Sequence, residues 1–118
     1  MRLSSSLLLA FLTLLPFVAF AQVTPTFTER DCGISSLSGS SQQLVAANPN
    51  RKYLGVFNSG ANTVYINSSG GTAATSGIAS IGVAAGNALV WKLPDGLPRN
   101  AITIIGTAAQ PVACFEGN

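Results

Sequence analysis

The sequence predicts an all-β fold: a single compact antiparallel β-sandwich or jelly-roll-like barrel of about seven short strands. Apolar residues recur at a period of two, as Val64 and Ile66 do between Thr63, Tyr65 and Asn67. Many of them are β-branched or aromatic, which suits a pleated, half-buried surface. Turn residues interrupt these runs about every ten residues, a spacing typical of sandwiches and barrels.

Seven runs follow this pattern, and a turn with Asn, Gly, Ser or Pro comes after each. The predicted strands are 42–47, 52–58, 63–67, 78–83, 88–92, 101–105 and 112–116, of which 78–83 has the weakest pattern. The run 52–58 is apolar on both faces, with Leu54 and Val56 on one and Tyr53 and Phe57 on the other. We therefore expect it in the middle of a sheet.

The N-terminal segment 1–21 has the three parts of a secretory signal peptide. Arg2 is followed by an apolar run, and Ala19 and Ala21 occupy the positions that signal peptidase recognises. The fourteen-residue run 7–20, broken only by Thr13 and Pro16, spans about 21 Å as a helix, less than the ~30 Å membrane core, which disfavours an uncleaved anchor. We expect cleavage after Ala21, a secreted or periplasmic protein and no stable membrane anchor. Residues 22–41 form an extended arm and a Ser/Gly-rich loop before a sandwich domain at 42–118.

The composition excludes several classes of site. The chain has 118 residues, 47% hydrophobic and 8% charged, with a formal net charge of +2 and no His. The lack of His excludes a Ser-His-Asp triad, a Cys-His pair and a His-ligated metal. After removal of 1–21, five cations and four anions remain. This balance offers no cationic cluster, so we expect no nucleic-acid partner.

Two cysteines lie near opposite ends of the expected mature chain, Cys32 and Cys114. An even number in an exported protein predicts a disulfide, and the alternative is two buried thiols. Closing so long a loop would stabilise the fold by about 4–5 kcal/mol in the chain-entropy model.

The acidic residues are the remaining candidates for catalysis. A disulfide would bring Asp31 and Glu116 into one neighbourhood, and a glycosidase needs two nearby carboxylates. The alternative is that both are solvated charges near the chain ends. Neither Lys52 nor Lys92 lies in a recognisable Ser-Lys motif. The sequence therefore predicts that the protein is not an enzyme, with no catalytic residue, cofactor or metal.

Residues that could contact a partner are Arg51, Asn62, Tyr65, Ser69 and Asp95. Arg51 is either a partner-binding charge or a cation at a strand start that caps carbonyls or lies over Tyr53. Asn62, Ser69 and Asp95 belong to the polar turns 59–62, 68–72 and 93–99. Tyr65, like Trp91, either stacks on a ligand or packs in the core.

The stretch 48–58, with Gly60 and 62–66 after it, resembles a hairpin common in small β-sandwich proteins of tailed phages and prophages. A turn at 85–87, a Pro-rich loop, an Ile-rich strand and a last strand at 112–116 continue the resemblance over residues 42–117. The resemblance implies a small virion component of the capsid-decoration or fibre type, without catalysis.

These observations favour a non-enzymatic, exported structural or interaction module, of phage or prophage origin, that decorates a virion or a surface. Its expected partner is a protein or surface, and the module itself is expected to form a homo-oligomer such as a trimer. The alternative is a periplasmic or extracellular binding protein or inhibitor that recognises a carbohydrate or a protease through the polar turns. Oligomeric state separates the two, because decoration is usually multivalent and an inhibitor is commonly a monomer.

Overall fold

Eight β-strands form two four-stranded antiparallel sheets in a computed structural model, which describes residues 28–118. The strands are β1 (Glu29–Asp31), β2 (Gln42–Val45), β3 (Tyr53–Phe57), β4 (Val64–Asn67), β5 (Ile81–Val83), β6 (Ala88–Lys92), β7 (Ile102–Ile105) and β8 (Ala113–Gly117). The predicted signal peptide and its cleavage site lie outside the described residues. Within residues 28–118, the structure contains no helix with the length and apolar character to cross a membrane.

The strand order is that of an eight-stranded jelly roll. The first sheet has the order β1-β8-β3-β6, and the second has the order β2-β7-β4-β5. The strands form one long hairpin, in which β1 pairs with β8, β2 with β7, β3 with β6 and β4 with β5. The hairpin is rolled up, so that β8 also pairs with β3 and β7 also pairs with β4. Every ladder thus joins one of β1–β4 to one of β5–β8. The predicted all-β, jelly-roll-like sandwich is confirmed.

Each of the seven predicted runs corresponds to one strand, β2 to β8, with β8 extending one residue past the predicted end, and β3 lies between β8 and β6 as expected. The weakest run, 78–83, contributes only the three residues of β5. The eighth strand, β1, comes from the predicted arm. Its three residues are exposed and show no apolar alternation, and it is held by pairing with β8 from Glu29 opposite Gly117 to Asp31 opposite Phe115.

The core lies between the sheets, where the inward positions of the central strands meet. Six aliphatic side chains there have no exposed surface: Leu54, Val56, Val64, Ile66, Ile102 and Ile104. Burying each large aliphatic side chain stabilises the fold by roughly 1.5–3 kcal/mol. Trp91 and Leu89 point inward from the edge strand β6 and pack, half-buried, against this core. Core packing is therefore the role of Trp91.

A disulfide between Cys32 and Cys114 joins two positions 82 residues apart in the sequence, as predicted. Their Cα atoms lie 4.8 Å apart, within the normal range for a disulfide. The Cys32 amide also donates a hydrogen bond of 2.9 Å to the Cys114 carbonyl oxygen, so the bridge continues the β1–β8 pairing. It fixes the edge of the first sheet to its interior.

Asn58 organises the turn that follows β3. Its buried side-chain amide donates to the carbonyl oxygens of Asn62 and Val83, both at 2.8 Å. Its Oδ1 accepts a hydrogen bond of 2.9 Å from Gln110 Nε2. A Cβ at Gly60 would lie 2.0 Å from Gln110 Cγ, so the close approach requires glycine there. The buried side-chain amides of Asn58 and Gln110 therefore hold the turn in place through hydrogen bonds.

Candidate interaction surface

Arg51 lies inside one end of the sandwich and connects its loops. Its guanidinium donates to the carbonyl oxygens of Ala46 (2.8 Å), Pro98 (2.5 Å) and Asn100 (3.2 Å). Its Nε donates to Glu116 Oε1 at 2.7 Å. With 0% of its surface exposed, Arg51 presents no charge to a partner. This burial removes it from the candidates for partner contact and supports the carbonyl-capping interpretation.

Glu116 is the buried counter-charge, with 1% of its surface exposed. Besides the Arg51 contact, its carboxylate accepts hydrogen bonds from Asn48 Nδ2 at 3.1 Å and from the Arg30 guanidinium. Burial by itself raises the pKa of Glu116, but the hydrogen bonds from Arg51, Asn48 and Arg30 and the charge of Arg51 outweigh it, so the pKa is lowered. The expectation of a solvated end charge is wrong for Glu116, because its position on β8 points into the sandwich.

Asp31 and Glu116 do not form a pair of carboxylates. Asp31 is exposed and lies opposite Phe115, the neighbour of Glu116, so the two acids occupy opposite faces of the first sheet. Asp31 Oδ1 accepts a hydrogen bond of 2.7 Å from the Gly33 amide. The disulfide therefore holds Asp31 next to the strand that carries Glu116, but the two carboxylates lie on opposite faces of the sheet.

The other predicted contact residues lie apart from one another. Asn62 is exposed in the turn before β4, and Ser69 is exposed in the loop after it, so β4 separates them. Asp95 is exposed in the loop after β6. Tyr65 is half-buried on the outer face of the second sheet, where a Cβ at Gly82 would lie 3.3 Å from its ring. The structure does not join these four residues into one site.

An apolar surface that the sequence analysis did not single out covers the outside of the first sheet. Phe57, Val90 and Phe115 alternate with inward residues and are 42%, 50% and 43% exposed. In the register, Phe115 and Val90 flank Gly55 from the two neighbouring strands. Phe57 lies one row further along β3, between Ala88 and Ala113. We call this surface, with Tyr53, the outer apolar face.

Tyr53 lies across Gly55 on the same strand. A Cβ at Gly55 would be 2.7 Å from the Tyr53 hydroxyl oxygen and 3.2 Å from the ring carbon that carries it. Glycine at this position lets the tyrosine ring lie along the sheet. The outer apolar face is therefore shallow and consists largely of aromatic rings.

Charged residues border the outer apolar face on two sides. Glu29 on the edge strand β1 and Lys92 on the opposite edge strand β6 belong to one row, through Gly117 and Tyr53. Asp31 lies one row further along β1. All three charged side chains are exposed. One edge of the face is thus acidic and the other basic.

The sequence carried a partial signal for this surface. The two-faced apolar pattern of 52–58 correctly predicted a central strand. A central position means that both edges of β3 are hydrogen-bonded to neighbouring strands. It does not determine what covers the outward side chains of Tyr53 and Phe57. The outward position of Phe115 follows from the inward position of Cys114 beside it.

No protein-family model and no curated protein matches this sequence. Among solved structures, a chain from Bacillus endospore appendages, described as a family of disulfide-linked pili, is similar with a TM-score of 0.44 and 22% sequence identity. The match covers 78% of this chain and 84% of that chain.

Proposed function

We propose that the protein is a non-enzymatic structural module that attaches to protein surfaces through its outer apolar face. The observation that carries this proposal is the exposure of Phe57, Val90 and Phe115 together on one sheet. The largest apolar patch on the surface of a soluble protein is often a functional one. Aromatic residues at the centre of such a patch are also the residues that contribute most to binding.

The sheet beneath the face is suited to rigid attachment. β3 and β8, which carry Tyr53, Phe57 and Phe115, are the two central strands of the first sheet. The disulfide at Cys114 and the buried contacts of Glu116 hold β8 from below. A surface ordered before binding loses little conformational freedom when a partner docks.

In this proposal the module works outside the cytoplasm, as a decoration or fibre-type component of a virion or cell surface. The disulfide and the apolar N-terminal segment support export. The phage-like hairpin supports a virion component, and jelly rolls are frequent in viral capsids and in lectins, although a fold alone does not decide a function.

The test is whether attachment depends on the outer apolar face. In cells that produce the protein, the wild type should sediment with high-mass particles or surface material. Phe115→Ser should release it into the soluble fraction, while Ile78→Ser, an equally apolar-to-polar change in the exposed loop of the second sheet, should not. The folding of each variant is checked by urea unfolding.

Two results would overturn the proposal. One is a Phe115→Ser variant that sediments like the wild type. The other is a hydrolytic activity that disappears with Glu29→Gln, Asp31→Asn and Asp95→Asn combined, since these exposed acids can be changed without touching the buried Glu116.

A further inference from the structure

We infer that the outer apolar face takes a second copy of this chain, packed face to face about a two-fold axis parallel to the strands. The inference deepens the proposed function and rests on it, because it identifies the protein surface that the outer apolar face contacts as the same face of another copy. Its evidence is the distribution of charge and of side-chain size around that face.

The two border charges lie too far apart to pair within one chain. Glu29 and Lys92 occupy the same row on the two edge strands, three strand spacings or about 14 Å from each other. A two-fold axis that runs between β8 and β3, parallel to them, places β1 over β6 of the second copy. Glu29 then faces the partner's Lys92, and Lys92 faces the partner's Glu29. Symmetry thus produces two ion pairs at the rim.

The other in-plane axis is unfavourable. An axis perpendicular to the strands places β1 over the partner's β1, so that Glu29 and Asp31 oppose the same acids. The same axis places β6 over the partner's β6, so that no acid lies opposite Lys92. Like charges set against each other oppose binding, so the charge pattern selects the axis along the strands.

The sizes of the central side chains agree with that axis. Phe57 and Ala113 lie opposite each other in the β3–β8 ladder, so the two-fold axis places Phe57 over the partner's Ala113 and the reverse. Phe115 lies opposite Gly55 in the same ladder. The two-fold axis therefore places Phe115 over the partner's Gly55, which the ring of the partner's Tyr53 covers. Aromatic rings then contact each other at the centre, in the offset arrangement that they prefer.

The size of the face predicts weak pairing. Three strands of five residues and β1 with three make a surface of at most about 19 by 16 Å, on the order of 300 Å² on each copy. Stable complexes bury about 800 Å² on each partner. We therefore expect a dissociation constant on the order of 0.1–1 mM in dilute solution. Such pairing becomes effective where many copies are held side by side on one assembly.

The test is self-association of the exported, disulfide-bonded chain by sedimentation equilibrium, with amide chemical shifts followed as concentration rises. Shifts should change at Gly55, Val90 and Phe115 and stay constant at Thr103 on the outer face of the second sheet. Lys92→Glu should weaken dimerisation about 5–10-fold, as should Glu29→Lys, because each variant opposes like charges at both rim contacts. The double variant should return to within about 2-fold of the wild type.

Matched controls reverse the same charges away from the face. Arg99→Glu and Asp95→Lys lie in the exposed loop after β6 and should leave the dissociation constant unchanged. A chain that stays monomeric, a trimer, or a double variant that is not restored would each overturn the two-fold arrangement. If the chain is monomeric and Phe115→Ser still releases it from particles, the second-copy inference fails and the proposed function stands. If Phe115→Ser changes neither measurement, both fail.

Discussion

Glu116 and Arg51 form an ion pair with almost no solvent contact on either side chain. Removing two charges from water is unfavourable, and a buried pair is tolerated only when its remaining donors and acceptors are bonded. Here the three loop carbonyls bind the Arg51 guanidinium, and Asn48 and Arg30 bind the Glu116 carboxylate. Loss of Glu116 would leave Arg51 buried without its counter-charge, and loss of Arg51 would leave Glu116 paired only with the largely exposed Arg30.

Glu116→Gln should destabilise the protein by about 3–5 kcal/mol at pH 7, because Arg51 loses its buried counter-charge. The folded-state pKa of Glu116 is lowered below its unfolded value. Its ionised form therefore contributes fully above that unfolded value, and the contribution is lost as the pH falls through the folded pKa. Urea unfolding at pH 7 and near pH 3 should show a smaller acid effect in the variant than in the wild type.

Asp95→Asn is the control for that experiment. It removes an exposed carboxylate and should change the free energy of unfolding by less than about 0.5 kcal/mol. Equal urea midpoints for Glu116→Gln and the wild type at pH 7 would contradict the stabilising role of the pair.

Among the strands, β1 gains the least stability from its own side chains. Its three side chains are exposed and contribute no apolar burial to the core. Its stability comes from the ladder with β8 and from the disulfide at Cys32, one residue after it. β1 should therefore respond to loss of the bridge before the rest of the sandwich does.

Cys114→Ser should lower the free energy of unfolding by about 3–5 kcal/mol, since the open chain regains the freedom of a long loop. The change should appear as a lower melting temperature. Hydrogen exchange should accelerate at Arg30 and Cys32, whose amides point toward β8 in the ladder, well before it does at Ile66. Cys32→Ser and reduction of the wild type should reproduce both effects, and unchanged β1 protection after reduction would contradict the account.

The elements differed in how well their sequence specified them. β2 to β8 were predictable because their side chains alternate between core and exterior, as Ile102 and Ile104 do on β7. The sequence Glu29-Arg30-Asp31 has no such alternation, so β1 is defined by a partner that is distant in sequence. The same is true of Arg51 and Glu116, whose burial depends on the loops after β2 and β6 meeting β1 and β8 at one end of the sandwich. Only part of the outer apolar face was predictable, from the apolar residues Tyr53 and Phe57 on the second face of 52–58.

For the whole molecule, the form recovered outside the producing cell should begin at Gln22. This prediction rests on Ala19 and Ala21 as the residues that signal peptidase would recognise, and both cysteines would remain in the product. Intact mass spectrometry should give the mass of residues 22–118, two hydrogen atoms lighter than after reduction. A mass that includes residues 1–21 would refute cleavage, and the heavier form before reduction would refute the bridge.

The pairing of every first-half strand with second-half strands determines when the chain can fold. During synthesis β1 to β4 emerge first, and none of them has a partner among the others. No sheet can begin until β5 appears, and the first sheet is completed only by β8, the last strand. Long-range pairing of this kind slows folding, because distant segments must meet before any contact stabilises them. If the chain is exported as proposed, late folding would keep it unfolded while it crosses a membrane channel, and the sandwich would form in the compartment where the two thiols are oxidised.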